Sequence, residues 1–351
     1  MNIFGLVKAF VKGADKTDAV SDQDREVLRK LRAWWEGVEY VAPDAIISNK
    51  SNPDAALTVA ASAMQESAEP AKKPVRVMSE QELDAKDDEV WPSIRITLAQ
   101  QIWGDGYFTA GGADFTLWLA RAFSPITKDM VMLDANAGLG GCMVTVSQKF
   151  ELAAHGYEAS EQLLRSGKGH MARIGAQIVP MRQYDLQNAE FPSQTYDLVL
   201  LRELLFRIQN KKHYIHQLCD SMKDRGQLVI TDFVKANDGP PSPRLAEWQS
   251  LESVEIHLGA LRDIVDIIKS RDDMEIRAVD DITARYTKEI SNGWKQYLHK
   301  VDEELPDSRF LPWILKEVRM WAKRVELLQS GDVRLYRIYA RRKPAMERKG
   351  A

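Results

Sequence analysis

"VMLDANAGLGGCM", residues 131–143, decides how this chain is read. An apolar run, Val131 to Leu133, enters Asp134, and Gly138, Gly140 and Gly141 follow before a helical pattern begins near Cys142. Glycine accepts left-handed backbone and lets a ligand approach the main chain. A helix N-terminus adds unpaired N–H groups and partial positive charge. Strand, side-chain-poor turn and helix in succession therefore suit an anionic or polar nucleoside. A dinucleotide fingerprint needs a small residue at position 143, where Met143 stands, which weighs against a nicotinamide-dependent oxidoreductase.

Outward from this stretch, from about residue 90, short β-rich apolar runs alternate with amphipathic helical segments. That alternation predicts a parallel sheet with helices on both faces. The expected strands are 130–134, 153–158, 177–182, 197–201, 227–233, 274–280 and 332–341. The expected helices are 113–123, 141–149, 161–173, 210–223, 244–270, 281–301 and 309–328. The last two strands are too far apart for a tight hairpin, so 281–331 reads as a helical insert forming a lid or substrate wall, with Trp294, Trp313 and Trp321 as its core. Acids end three successive strands: Asp134, then Glu158 in "GYEAS", then Asp185 in "QYDLQ". Open α/β sheets bind ligands beyond the carboxyl ends of their strands, where all three would face one crevice.

The chain has 351 residues and a formal net charge of −3, so it lacks the basic excess of a protein that neutralises a nucleic-acid backbone. Two cysteines, Cys142 and Cys219, form no paired framework and no zinc spacing, which fits a reducing cytoplasm. His213 and His216 share a helix face from which Cys219 rotates away, so no metal site is expected there. No apolar run reaches the length of a membrane span and no secretory signal is evident, so the expected setting is cytoplasmic.

Residues 1–16, "MNIFGLVKAFVKGADK", place Ile3, Phe4, Val7, Phe10 and Val11 at helical spacing with lysines on other faces, which suits a weak peripheral contact with a membrane surface or a protein. A second helix carries Leu28, Leu31, Trp34 and Trp35. The expected organisation is N-terminal amphipathic helices over 1–48, a flexible Ala/Ser/Pro-rich linker over 49–77, the main domain over 78–343 and a basic tail over 344–351.

"VMLDANAGLGG", "GYEAS", "QYDLQNAEFPSQTYDLVLLRELLFRI" and "DRGQLVITDF" resemble, in order and spacing, the successive motifs of class I S-adenosylmethionine-dependent methyltransferases. The flanks "IWGDGYFTAGG", "LLRELLFRI", "SMKDRGQLVITDF" and "GDVRLYRIYARRK" resemble the phosphoethanolamine and small-amine N-methyltransferases, over roughly residues 90–343. The resemblance implies a Rossmann-like, mostly parallel sheet whose last strand is antiparallel, S-adenosyl-L-methionine as cofactor, a small-molecule methyl acceptor and no metal. It implies that Asp134, Asn136, Gly138 and Gly140 line the methionine and ribose end of the cofactor. Glu158, with Ala159 beside it, would bind the ribose diol. Asp185 and Leu186 would face the adenine, Arg202 would close the pocket, and Thr109 would reach in from the N-terminal flap. Positioning and desolvation would supply most of the rate of such an in-line displacement.

Departures from that group fall at the reacting end. Asn136 replaces its first glycine, a turn that asparagine tolerates, with its side chain housed beside the ligand. Glu203 and Arg207 replace the aspartate and histidine used to deprotonate the amine. Glu203 is left as the catalytic candidate, because an arginine cannot act as a base. Phe233 replaces a phosphate-gripping tyrosine, and "EWQSLES" sets Glu252 where a phosphate would meet an acid, which argues against phosphoethanolamine itself. Two functions follow: methyl transfer to a nitrogen or oxygen of a small molecule, or a catalytically degenerate relative kept as a binding or scaffold protein.

Overall fold

The computed structural model describes residues 22–38, 90–176, 180–236, 239–303 and 306–347. The chain divides into two compact units, 1–86 with 298–311, and 87–297 with 312–351. In the first, α1 (Asp22–Glu36) buries Leu28, Leu31 and Trp35 and ties Arg32 to Glu36 one turn away at 2.9 Å. The amphipathic segment 1–16, the linker 49–77 and the last residues of the basic tail lie outside the described residues.

The second unit runs α2 (Ser93–Trp103), α3 (Gly112–Ala120), β1 (Val131–Asp134), α4 (Gly141–Phe150), β2 (Ala153–Glu158), α5 (Glu161–Arg173), β3 (Met181–Gln183), β4 (Tyr196–Arg202), α6 (Lys211–Ser221), β5 (Met222–Lys235), α7 (Pro243–Leu251), α8 (Leu261–Lys269), β6 (Met274–Asp281), α9 (Thr283–Glu303), α10 (Leu311–Ser330) and β7 (Val333–Arg342). The seven strands form one sheet in the order β3-β2-β1-β4-β5-β7-β6. Strands β1 to β5 pair in parallel, and β7 runs antiparallel to both neighbours. This is the Rossmann-like methyltransferase architecture.

Helices on both faces explain why β4 reads Leu198-Val199-Leu200-Leu201 with no polar alternation: all four are fully buried. The strand order reverses between β1 and β4, and at such a switch point adjacent crossovers leave on opposite faces and open a crevice. Asp134 ends β1 and Arg202 ends β4, so the topology delivers a carboxyl group and a guanidinium to that crevice.

Three expectations change, the first being the third strand, which is Met181–Gln183, so that Asp185 lies two residues past its end. The helix expected over 244–270 is two helices, because the connector makes bonds a continuous helix would forbid: His257 N–H donates to Phe206 O at 2.6 Å, and Asp263 accepts from Ala260 N at 2.9 Å to restart the chain as α8. The fifth strand is longer than 227–233, starting at Met222 directly after α6 and pairing with β7 up to Lys235. Of the insert's tryptophans, Trp313 is only half-buried beneath Lys316 Nζ at 4.9 Å, whereas Trp103 of α2 meets Trp294 at 6.4 Å and Trp321 at 4.7 Å. Gly293 makes that approach possible, since a Cβ there would lie 2.4 Å from the Trp103 ring.

Candidate functional site

At the β1 end the turn 135–140 places its left-handed residues at Gly138 (φ 55°) and Gly140 (φ 86°). The left-handed conformation considered for Asn136 is absent. Its amide instead donates to the Arg202 carbonyl at 2.8 Å, so the side chain bridges β1 to β4 rather than lying loose beside a ligand. The flap 104–111 is fixed to the start of α4, where Gly141 N–H donates to Gly106 O at 2.9 Å and a Cβ on Gly141 would stand 2.5 Å from that oxygen.

Two buried polar atoms face this corner without a protein partner: Asp134 Oδ2 and Arg202 Nε. The other oxygen of Asp134 accepts from Asn136 N at 3.3 Å. The other guanidinium nitrogens of Arg202 donate to Thr116 Oγ1 at 3.1 Å, Thr109 Oγ1 at 3.3 Å and Ala110 O at 3.0 Å, with Glu203 Oε1 at 3.5 Å. Burial pushes the Asp134 carboxyl up to about 6, against the opposing pull of the Asn136 amide and Arg202. An unpaired buried carboxylate is costly, and an ammonium group supplied by a ligand would relieve it.

Glu158 is buried and accepts from Gly138 N and Ser160 N, each at 2.8 Å. Burial raises its pKa and these two amides lower it. Each carboxylate oxygen keeps a further lone pair, so a vicinal diol can still donate to both. Ala159 follows in the turn that leads to Ser160, whose hydroxyl caps α5 by accepting from Leu163 N at 3.3 Å. Asp185 is exposed and accepts from Asn188 Nδ2 at 2.8 Å and Gln187 N at 2.9 Å, bonds that hold its pKa low. Leu186 is half-buried against the core. Thr109, Asp134, Asn136 and Arg202 are thus gathered by direct bonds, and Gly138 with Glu158 by another. Asp185 bonds only within its own turn. These groups fit S-adenosylmethionine: an orphaned carboxylate and guanidinium for the amino-acid end, a diol acceptor, and a loop stripped of side chains.

Glu203 has left-handed backbone (φ 51°), rare for a residue with a side chain. Its N–H donates to Thr231 O at 2.7 Å, and its carboxylate receives the Tyr286 hydroxyl from α9 as well as Arg202. The turn after it is held by Asp232, at the β5 end, which accepts from the backbone N–H of Leu204 at 2.8 Å, of Phe206 at 3.0 Å and of Leu205 at 2.5 Å. Burial pushes Asp232 up to about 7 while these three amides pull the other way. Asp232 lies within "DRGQLVITDF" without being singled out there, and Tyr286 belongs to no quoted motif. An aspartate at a strand end is the only signal for the first, and the second has none.

Beside these groups lies a narrow cleft of about 60 Å³ that opens to solvent and is lined in part by Thr109 and Glu203. Trp91, Phe108, Phe206 and Trp321 line it together with Arg95, Arg207, Arg324, Glu252 and Glu317. The expectation that Glu252 would confront an incoming phosphate does not hold. Arg324 pairs with it at 2.6 Å and Trp248 Nε1 donates to it at 2.6 Å, so its charge is already neutralised. Cys142, at a helix N-terminus, is buried, and burial raises its pKa despite the helix dipole. Among the described residues no three metal-ligating side chains gather, and no helix is long and apolar enough to cross a membrane.

The sequence pattern of a family described as a methyltransferase domain matches residues 113–272. Phosphoethanolamine N-methyltransferase 1 of Zea mays is 22% identical over 238 residues, which is 61% of this chain and 47% of that protein. The chain thus spans about half the length of this curated relative. Among solved structures, phosphoethanolamine N-methyltransferase 2 of Haemonchus contortus, in complex with phosphomonomethylethanolamine and S-adenosylhomocysteine, superposes with a TM-score of 0.64 at 20% identity, over 74% of this chain and 60% of that one. A geranyl diphosphate methyltransferase in complex with geranyl diphosphate and sinefungin gives a TM-score of 0.51 at 16% identity, over 65% of this chain and 77% of that one. At these identities the superpositions establish the fold.

Proposed function

We propose that this chain, which has the class I methyltransferase fold and resembles the phosphoethanolamine N-methyltransferases, is an S-adenosylmethionine-dependent methyltransferase acting on a nitrogen or oxygen of a small molecule. The observation that carries this reading is the pair of orphaned buried groups, Asp134 Oδ2 and Arg202 Nε, at the ends of the two strands that flank the sheet's switch point. They suit the ammonium and carboxylate of one amino-acid moiety. Bound there, the cofactor supplies a methyl group on a positively charged sulfur.

The chain's own residues do the rest. Asp134 and Arg202 hold the amino-acid end, with Thr109 and Asn136 fixing Arg202. Gly138 and Gly140 supply the left-handed turn that carries the chain past the ligand, Glu158 takes the ribose diol, and Leu186 and Asp185 border the base. Glu203, locked by Tyr286 and Arg202, faces the acceptor cleft and orients the accepting atom. The aromatic lining excludes water, which strengthens each electrostatic contact. Both cysteines are free and buried, in keeping with a cytoplasmic setting.

Titration calorimetry with S-adenosylhomocysteine tests the first half: saturable one-site binding is expected from the wild type, with none from Asp134→Ala. Tritiated-methyl transfer to small molecules of a cell extract tests the second, and a labelled product that depends on Asp134 is expected. One feature favours a second reading, a non-catalytic binding protein. The glycine loop is self-supported, with Glu158 on Gly138 N and the Phe108 ring packed where a Gly138 Cβ would fall. Cofactor binding without any labelled product selects that reading.

A further inference from the structure

The charged side chains around the acceptor cleft do not balance pair by pair. Arg95 meets Glu317 at 2.6 Å, Arg324 meets Glu252 at 2.6 Å, and Arg202 meets Glu203 at 3.5 Å. Each acid is further occupied: Glu317 by Trp321 Nε1 at 3.1 Å, Glu252 by Trp248 Nε1 at 2.6 Å, and Glu203 by the Tyr286 hydroxyl. Arg207 also lines the cleft, yet among the described residues it has no carboxylate at ion-pair distance, and its Nε is buried without an acceptor. Its backbone directly follows the three N–H groups that Asp232 holds, which fixes where the side chain leaves the turn. Burial acts against its charge more than the distant acids Glu158 and Glu252 support it. Three arginines and three glutamates line the cleft, but Glu203 is drawn to Arg202 outside the lining, so among the described residues Arg207 is the lining cation left without a close counter-ion.

We infer that the methyl acceptor carries a carboxylate, bound by the Arg207 guanidinium between the aromatic walls of the cleft. The inference rests on the methyltransferase reading and names the substrate class of that site. Guanidinium and carboxylate match as parallel forks, and a dry setting strengthens the match. One guanidinium without a close counter-ion fits a monoanion. A phosphate monoester, carrying nearly two negative charges, would leave the cleft over-compensated, and an ammonium-bearing acceptor would find no free acid to pair with.

The test uses the full chain and three matched probes, benzoate, benzamide and phenyl phosphate, titrated calorimetrically with and without saturating S-adenosylhomocysteine. Benzoate is expected to bind at least tenfold more tightly than benzamide and more tightly than phenyl phosphate. Arg207→Gln is expected to weaken benzoate at least tenfold, with S-adenosylhomocysteine affinity kept within twofold and a native thermal melt. Arg207→Lys should fall between. No binding by any probe, equal binding of benzoate and benzamide, or a preference for phenyl phosphate overturns the inference, and the wild type alone decides those three outcomes. So does a Gln variant that loses the cofactor product as strongly as benzoate, since Arg207 would then serve the cofactor. Failure of S-adenosylhomocysteine to bind the wild type instead removes the methyltransferase reading, and the probe titrations without it still decide whether the cleft takes a carboxylate.

Discussion

A single carboxyl group links protonation to ligand binding here. Burial pushes the Asp134 carboxyl up to about 6, against the pull of Asn136 and Arg202, and only its ionised form can hold an ammonium group. Affinity for S-adenosylhomocysteine is therefore expected to be flat above pH 7 and to weaken by up to about tenfold per pH unit below 6, as one proton must be displaced. Calorimetry from pH 5 to 8 reads this, and Asp134→Asn should bind weakly with the slope gone. Tyr286 makes a second case. Tyr286→Phe leaves one oxygen of a buried Glu203 without its donor, at a stability cost of about 1–3 kcal/mol by urea titration. Methyl transfer should fall while cofactor affinity holds. The legibility of these residues follows from their distance along the chain. Asp134, Gly138 and Glu158 announce themselves because strand end, glycine turn and the next strand's acid recur at fixed spacing. Tyr286 meets Glu203 across 83 residues, and Asp232 meets Leu204 across 28, and nothing in local periodicity encodes either encounter.

Among the elements, the short turn Leu205–Arg207 is the most exposed to a single change. Three successive N–H groups converge on Asp232, an arrangement only an ionised carboxylate satisfies fully. Asp232→Asn turns an amide NH₂ toward those donors, and a loss of about 1–3 kcal/mol is expected. Chemical denaturation measures it, and acceptor-cleft ligands should weaken more than S-adenosylhomocysteine, since the turn carries Glu203 and Arg207 rather than Asp134. The strands were legible wherever they are buried on both faces and rich in β-branched residues and leucine, as in β4 and β5. The segment 244–270 was not, because its helical periodicity continues through residues that are diverted by the His257 contact with Phe206 and by the ion pair of Glu252 with Arg324, both made to distant parts of the chain.

At the scale of the whole molecule, the sheet joins two construction styles. Its β1–β5 half is parallel and carries the crevice, and β5-β7-β6 is antiparallel and closes the far side. The strand order has a consequence for biosynthesis. Residues 274–281 are translated before residues 333–342, yet β6 reaches the sheet only by pairing with β7, which slots between it and β5. A growing polypeptide must therefore wait, with two strand edges bare, until codon 342 has been read and that segment has left the ribosome. Stalled nascent chains ending at Asp332 are expected to be cut readily by added protease around β6, and those extended past Arg342 and clear of the exit tunnel to resist. Equal resistance would show that the sheet assembles in a different order from the one its geometry dictates.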